Sequence, residues 1–185
     1  MLNHGMGKKV DEVKIMSKKY VWYACYGSNL CKERFLLYIK GGTCRFNGKY
    51  YNGCTDKSEP VKDRPIKIPH RLYFGNKSYS WHGGGVAFID PRKDEKEKTL
   101  GRMYLITEEQ FTQIHEQEGP GSKWYGKILE LGEAEGHKIM TFTSDEIRPA
   151  NLPHEQYIEV ISTGLEEIYP EMDEKTIKKY LHNSI

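Results

Sequence analysis

The sequence lacks long apolar runs, and this absence excludes several classes of protein. No run approaches the roughly 20 apolar residues that a membrane-spanning helix requires. The N-terminus also lacks the apolar core of a secretion signal. The four cysteines, Cys25, Cys31, Cys44 and Cys54, form no C-x-x-C pair and are too few for a disulfide scaffold. These absences predict a cytoplasmic protein that does not act on membranes.

An excess of charge of either sign is also absent. The 185 residues include 28 Lys and Arg against 26 Asp and Glu, which leaves a formal net charge of +2. The basic residues are scattered among acids, so no nucleic-acid partner is predicted. The phosphate-binding patterns GxxxxGK and GxGxxG are missing, as are internal repeats. What is present, 37% hydrophobic and 12% aromatic residues, suffices for a single core.

Apolar periodicity and capping residues predict one mixed α and β domain, residues 20–185, after a poorly ordered N-terminal segment, residues 1–19. Residues 43–70 are rich in Gly, Asn, Lys and Pro, and we expect them to form a long loop excursion. The charged run 92–98 is predicted to be a solvated hairpin turn. The predicted strands are 20–26, 71–74, 85–89, 99–106, 124–131 and 137–143. The predicted helices are 29–40, 107–118, one that begins near Pro153, and a last one capped by Asp173.

The stretch from Tyr20 to Leu30 carries the first chemical signal. An apolar strand ends at Tyr26, Gly27 permits an unusual dihedral or a close approach, and Ser28 or Asn29 can cap the following helix. The free N–H groups at such a helix start bind a carboxylate, a phosphate or a developing oxyanion. This pattern predicts a site but does not specify a reaction.

Glu118 carries the second signal. Thr107 and Gln110 form a capping box, and in the helix that follows Phe111, Ile114 and Glu118 share one face. An acid on the core face, and at the negative end of the helix dipole, is unfavourable for stability. Two readings stay open: the last turn frays and Glu118 reaches solvent, or Glu118 lies in an apolar pocket with a raised pKa suited to general acid/base chemistry.

Weaker candidates are read as structural. His82 follows Trp81 and precedes three glycines, and a hydrogen-bonded core or rim histidine is favoured over a catalytic one. Cys44, Cys54, Asp56 and His70 have no spacing typical of zinc ligands, so no metal site is predicted.

Several motifs together resemble the gamma-glutamylcyclotransferase family. They are Tyr26-Gly27-Ser28-Asn29-Leu30, Trp81-His82-Gly83-Gly84, Gly101 to Tyr104, Glu116-Gln117-Glu118-Gly119 followed by Tyr125, and Pro153 with Tyr157 and Gly164. Their order and approximate spacing match from Tyr20 to about Gly164. The segment 43–70 departs from the family, because it is longer than the corresponding loop.

The resemblance implies an α+β fold, a small mixed β-barrel with flanking helices. It implies a cofactor-free conversion of gamma-glutamyl amines or gamma-glutamyl amino acids to 5-oxoproline and a free amine, with Glu118 as the general acid/base. The small-molecule substrate would be held by Tyr26, Gly27, Ser28, Asn29, Leu30, Trp81 and Tyr125.

Two other functions remain open. One is a non-catalytic module that uses the turn to bind a small carboxylate ligand. The other is a serine hydrolase with Ser28 as nucleophile, although the G-x-S-x-G pattern and a marked His/Asp partner are missing. The leaving amine and the oligomeric state are not predicted by the sequence.

Overall fold

The computed structural model describes residues 17–185, so residues 1–16, most of the segment predicted to be poorly ordered, lie outside the described residues. The described residues form an α+β fold, as predicted. The strands are β1 (Tyr20–Cys25), β2 (Gly42–Thr43), β3 (Tyr50–Tyr51), β4 (Asp63–Ile68), β5 (Leu72–Ser78), β6 (Gly84–Ile89), β7 (Thr99–Thr107), β8 (Lys127–Ala134) and β9 (His137–Thr143). The helices are α1 (Lys32–Lys40), α2 (Glu108–Glu118), α3 (Glu155–Ile168) and α4 (Glu174–His182).

The largest sheet has five strands in the order β4-β7-β1-β9-β8. Its central strand, β1, runs antiparallel to β7 and parallel to β9, so the sheet is mixed. Residues 21–25 are all buried, because helices and further chain cover both faces of a central strand. The apolar run in the sequence therefore becomes the middle of the core.

Strands β5 and β6 form a separate antiparallel hairpin. A threonine side chain connects this hairpin to the large sheet: the Ile89 N–H donates to Thr143 Oγ1 at 3.2 Å, and Thr143 Oγ1 donates to the Ile89 carbonyl at 2.6 Å. The main-chain ladders of residues 17–185 do not close into a ring. The mixed fold is thus confirmed, whereas a closed barrel is not.

Two predictions about connections are wrong. The segment 43–70 is not only a loop, because it contains β4, the edge strand that pairs with β7. Pro65 is tolerated there since an edge strand has one side without a hydrogen-bonding partner strand. The charged run 92–98 is not a hairpin turn, because the strands on either side of it, β6 and β7, belong to different sheets.

The predicted caps of α2 and α4 are confirmed, whereas the predicted cap of the first helix is wrong. Neither Ser28 nor Asn29 caps α1, which begins after Cys31 without a side-chain cap, because residues 28–30 form a separate 3-10 turn. In the capping box of α2, the Gln110 N–H donates to Thr107 Oγ1 at 3.1 Å and the Thr107 N–H donates to Gln110 Oε1 at 3.0 Å. Asp173 caps α4, and α3 begins after His154 rather than at Pro153. No helix within residues 17–185 combines the length and apolar character needed to cross a membrane.

Helix α3 packs its Gly164 directly against the chain that leaves β1. A Cβ at this position would lie 2.2 Å from the carbonyl carbon of Leu30 and 2.3 Å from the nitrogen of Cys31. Both are backbone atoms, which cannot move away as a flexible side chain would. Gly164 therefore fixes how closely α3 approaches the turn before α1.

We predict that Gly164→Ala lowers the free energy of unfolding by about 1–3 kcal/mol or more, since overpacking against backbone outweighs the better helix propensity of alanine. Urea unfolding followed by circular dichroism measures the change. The control is Glu166→Ala, at an exposed position on the same helix. Equal stabilities of the two variants would contradict the close contact.

Candidate active site

The turn after β1 presents main-chain donors. A short 3-10 turn, Ser28–Leu30, joins the strand to α1. The Leu30 N–H donates to the Gly27 carbonyl at 3.0 Å, and no main-chain carbonyl within residues 17–185 accepts from the N–H groups of Gly27, Ser28 or Asn29. These three residues line a small recess, so their N–H groups are suited to an anionic group bound there. Leu30 was also predicted to hold the substrate, but its N–H is already paired and its side chain is buried in the core.

The space around Gly27 requires a residue without a side chain. Its φ of −116° is accessible to any residue. A Cβ would, however, lie 2.9 Å from Tyr157 Oη and 3.1 Å from Ala87 Cβ. The close approach expected from the sequence is therefore present.

Two side chains from β7 hold the turn from the core side. Tyr104 donates its hydroxyl to the Asn29 carbonyl at 2.9 Å, and Arg102 Nη1 donates to the Leu30 carbonyl at 2.9 Å. Arg102 is itself paired with Asp63 at 2.6 Å and with Glu167 at 2.5 Å. Strands β4 and β7 and helix α3 thus fix the main chain of the turn.

Glu118 ends α2 beside this turn. Its Oε1 accepts a hydrogen bond from Asn29 Nδ2 at 2.6 Å, and the same Nδ2 donates to the Tyr23 hydroxyl at 3.1 Å. Glu118 is half-buried and lines the recess, which supports the pocket reading and contradicts fraying into solvent. Burial raises the pKa of Glu118, while the charge of Arg34 and the hydrogen bond from Asn29 partly offset this increase.

The other titratable groups of the recess remain protonated at neutral pH. Burial raises the pKa of the hydroxyls of Tyr23, Tyr26 and Tyr125, and also that of the Cys25 thiol. Among the residues that line the recess, Glu118 is therefore the side chain suited to exchange a proton near neutrality.

The recess adjoins a larger cavity of about 380 Å³. Ser28, Glu118, Tyr125 and Tyr157 border both spaces. The recess itself has a volume of about 30 Å³, which accommodates one small group such as a carboxylate or carbonyl oxygen. Most of any ligand that reacts at Glu118 must then occupy the larger cavity.

The predicted aromatic residues form the walls of these spaces. Tyr26 donates its hydroxyl to the Phe142 carbonyl at 2.7 Å, and Tyr125 donates to the Ala87 carbonyl at 2.9 Å, so neither hydroxyl proton is free for a ligand. Trp81 is buried in the wall of the larger cavity, with its ring edge-on to Tyr157 at a centroid distance of 5.0 Å.

The sequence interpretation missed Arg34, Tyr38 and Tyr51, which also line the larger cavity. A usable signal existed for Arg34 and Tyr38. Arg34 precedes Phe35 and stands four residues before Tyr38, so a cation lies on the buried face of α1. For Tyr51, which belongs to the segment 43–70, the sequence contained no comparable pattern.

The residues considered for a catalytic histidine, a serine nucleophile or a metal site do not form such sites in the described residues. His82 is exposed, and its Nε2 lies 2.7 Å from Gln156 Oε1. No histidine in residues 17–185 is hydrogen-bonded to Ser28, so the described chain does not supply the histidine of a Ser-His-Asp triad. In the same residues no group of three or more His, Cys, Asp or Glu side chains is placed to hold a metal ion.

The chain has the fold of gamma-glutamyl cyclotransferase, so the predicted resemblance is confirmed at the level of the fold. A solved structure of that name has a TM-score of 0.60 at 22% identity, covering 87% of this chain and 86% of the other. An uncharacterized human protein has the same TM-score and identity, with 88% and 86% covered. YkqA from Bacillus subtilis has a TM-score of 0.58 at 20% identity, and the match covers 91% of this chain but 55% of YkqA.

Sequence comparison adds one relative. The Arabidopsis thaliana protein named histone deacetylase 5 is 33% identical in an alignment 191 positions long, which covers 82% of this chain. The match spans only 29% of the length of that plant protein, so its name describes a much larger molecule. No protein-family model matches the sequence.

The raised pKa of Glu118 predicts how stability depends on pH. Because the folded-state pKa lies above the ordinary value of 4.5, the contribution of this group to stability is present below that value and is lost as the pH rises through the folded-state pKa. We expect Glu118→Gln to gain stability relative to the unmutated protein as the pH increases. Urea unfolding at a series of pH values from acid to neutral measures this difference.

The matched control is Glu116→Gln, which removes an exposed carboxylate from the same helix without altering the cavity. If the two variants had the same pH dependence, Glu118 would not be desolvated in solution.

Proposed function

We propose that the protein cyclises a gamma-glutamyl amine or amino acid to 5-oxoproline with release of the free amine. The observation that carries this proposal is the pairing of Glu118 with Asn29, which holds a desolvated carboxylate beside the N–H groups of the turn that have no main-chain acceptor. An acid/base group and a set of oxyanion donors thus border one recess.

The substrate supplies its own nucleophile in this reaction. Its α-amine attacks the γ-carbonyl carbon, a C–N bond forms, and a five-membered ring results. Because both groups belong to one molecule, proximity replaces the nucleophilic side chain that a hydrolase needs. This is consistent with Ser28, which has no histidine partner in the described chain.

Glu118 moves the protons. It removes one proton from the α-ammonium group so that the amine can attack, and it gives that proton to the nitrogen of the departing amine as the original amide bond breaks. It then removes the second proton from the new ring nitrogen, and the released amine takes up this proton to become an ammonium ion. The net proton count is unchanged, so no external acid or base is consumed. A raised pKa suits this exchange, because a carboxylate of ordinary pKa is a weaker base near neutrality.

The N–H groups of Gly27, Ser28 and Asn29 would bind the substrate carboxylate or the tetrahedral oxyanion. Either group fits the volume of the recess, and either is favoured by donors at the start of a helical turn. No step of this scheme requires a cofactor. We also propose a reducing compartment such as the cytoplasm, since all four cysteines are free thiols.

The test measures 5-oxoproline and free amine by mass spectrometry after incubation with a panel of gamma-glutamyl amides. We predict that Glu118→Gln folds and loses about a hundred- to ten-thousandfold in kcat, because the general acid/base is gone. Glu116→Gln should retain activity.

An N-acetylated substrate separates cyclisation from hydrolysis, since an acetylated α-amine cannot attack. Release of amine from that substrate would indicate a hydrolase, and the Ser28 alternative would return. Binding of the panel without any product from the unmutated protein would instead favour the non-catalytic binding module. Full activity of Glu118→Gln would reject the role of this residue.

A further inference from the structure

The larger cavity carries an excess of positive charge. Its charged lining consists of the three cationic side chains Arg34, Lys49 and Lys77 and one carboxylate, that of Glu118. Lys49 and Lys77 are exposed at its border, whereas Arg34 lies at its inner wall and is only 2% exposed. A ligand with a negative charge is favoured in such a cavity.

Arg34 is held in a fixed orientation by two tyrosines. Its Nη2 donates to the Tyr51 hydroxyl at 2.7 Å and to the Tyr38 hydroxyl at 3.0 Å. The guanidinium carbon lies 4.3 Å from the ring centroid of Tyr51 and 4.6 Å from that of Tyr38. These contacts orient the guanidinium group but use only one of its three nitrogens.

The other two nitrogens of Arg34 are buried without a partner. Neither Nε nor Nη1 has a hydrogen-bond acceptor in the part of the chain that the structure describes, and Arg34 forms no ion pair there. Burial of a guanidinium group without a carboxylate partner is unfavourable, because the lost hydration is not replaced. Such an arrangement is expected where a bound ligand supplies the missing acceptor.

The position of Glu118 indicates which part of a substrate would reach Arg34. Glu118 borders both the recess and the larger cavity, and the reacting α-amine and γ-carbonyl must lie beside it. The donors of the turn are in the recess, where they would hold the carboxylate of the glutamyl half or its oxyanion. The amine half then extends into the larger cavity, whose wall contains Arg34.

We propose that Arg34 binds a carboxylate on the amine half of the substrate, so that the substrates are gamma-glutamyl amino acids or peptides rather than gamma-glutamyl derivatives of neutral amines. This proposal rests on the proposed function. It also gives a role to the segment 43–70, which supplies Lys49 and Tyr51 to the same cavity.

The experiment compares gamma-glutamylalanine with gamma-glutamylalaninamide, two molecules that differ in one carboxylate. We expect the unmutated protein to have a kcat/KM about ten- to a hundredfold higher for the acid, the range expected for a hydrogen bond to a charged group. Arg34→Gln should lower kcat/KM for the acid at least about tenfold more than for the amide, so that the preference is lost. Because the charge of Arg34 also lowers the pKa of Glu118, the two substrates are compared over the whole pH profile. Arg34→Lys should restore part of the preference, because lysine keeps the charge without the planar fork.

The matched control is Arg45→Gln, which removes an exposed guanidinium group paired with Glu33 outside the cavity. It should keep the full preference for the acid. If both Arg34 variants failed to fold, the comparison of acid with amide on the unmutated protein would still test the subsite.

Three results would overturn the proposal. Equal kcat/KM values for the two substrates in the unmutated protein would exclude a carboxylate subsite. Equal losses on both substrates in Arg34→Gln would mean that Arg34 binds the glutamyl half. A shifted pH profile of kcat for both substrates, with the preference for the acid retained, would mean that Arg34 acts only as a counterion of Glu118.

Binding measurements separate this proposal from the proposed function. Calorimetry with Glu118→Gln measures the affinity for each substrate without turnover. Tighter binding of the acid, lost when Arg34→Gln is added, would support the subsite even if the unmutated protein formed no 5-oxoproline. In that case the catalytic proposal alone would fail. Formation of 5-oxoproline without any preference for the acid would reject the subsite alone.

Discussion

The 2.6 Å hydrogen bond between Asn29 and Glu118 connects the two halves of the candidate site. Asn29 belongs to the turn after the central strand, and Glu118 lies at the end of α2, 89 residues later in the chain. A carboxylate at the end of a helix is disfavoured by the helix dipole and by loss of water. The amide of Asn29 and the charge of Arg34 offset part of that cost, so the carboxylate stays in the cavity with a raised pKa.

Contacts with the rest of the fold fix the main chain of the turn and therefore the position of Asn29. Tyr104 and Arg102 bind consecutive carbonyls of the turn, and Gly164 lets α3 pack against its backbone. The carbonyls of Asn29 and Leu30 and the Leu30 N–H are thus paired, whereas the N–H groups of residues 27–29, which line the recess, have no main-chain acceptor among the described residues. The same rigidity would let these donors stabilise a developing charge without rearrangement.

Several parts of the fold were predictable because their signals are local. The buried run of β1, the capping box of α2 and the Asp173 cap of α4 each follow from neighbouring residues. Strand pairing was less predictable, since periodicity marks a strand but does not identify its partner. The charged run 92–98 resembles a hairpin turn yet links two sheets, and β4 was hidden in a polar segment because an edge strand tolerates Pro65.

The sequence by itself determined the strand-turn-helix element around Gly27, the misplaced acid at Glu118 and, through the combined motifs, the kind of fold. Each depends on spacing within a short stretch or on a set of motifs in fixed order. Only the tertiary structure decided that Glu118 enters the cavity instead of fraying, that Leu30 serves the core, and that Arg34 retains unpaired donors beside the same cavity. These outcomes depend on contacts between residues distant in sequence, where burial and pairing are set by the packing of α1, α2 and β1.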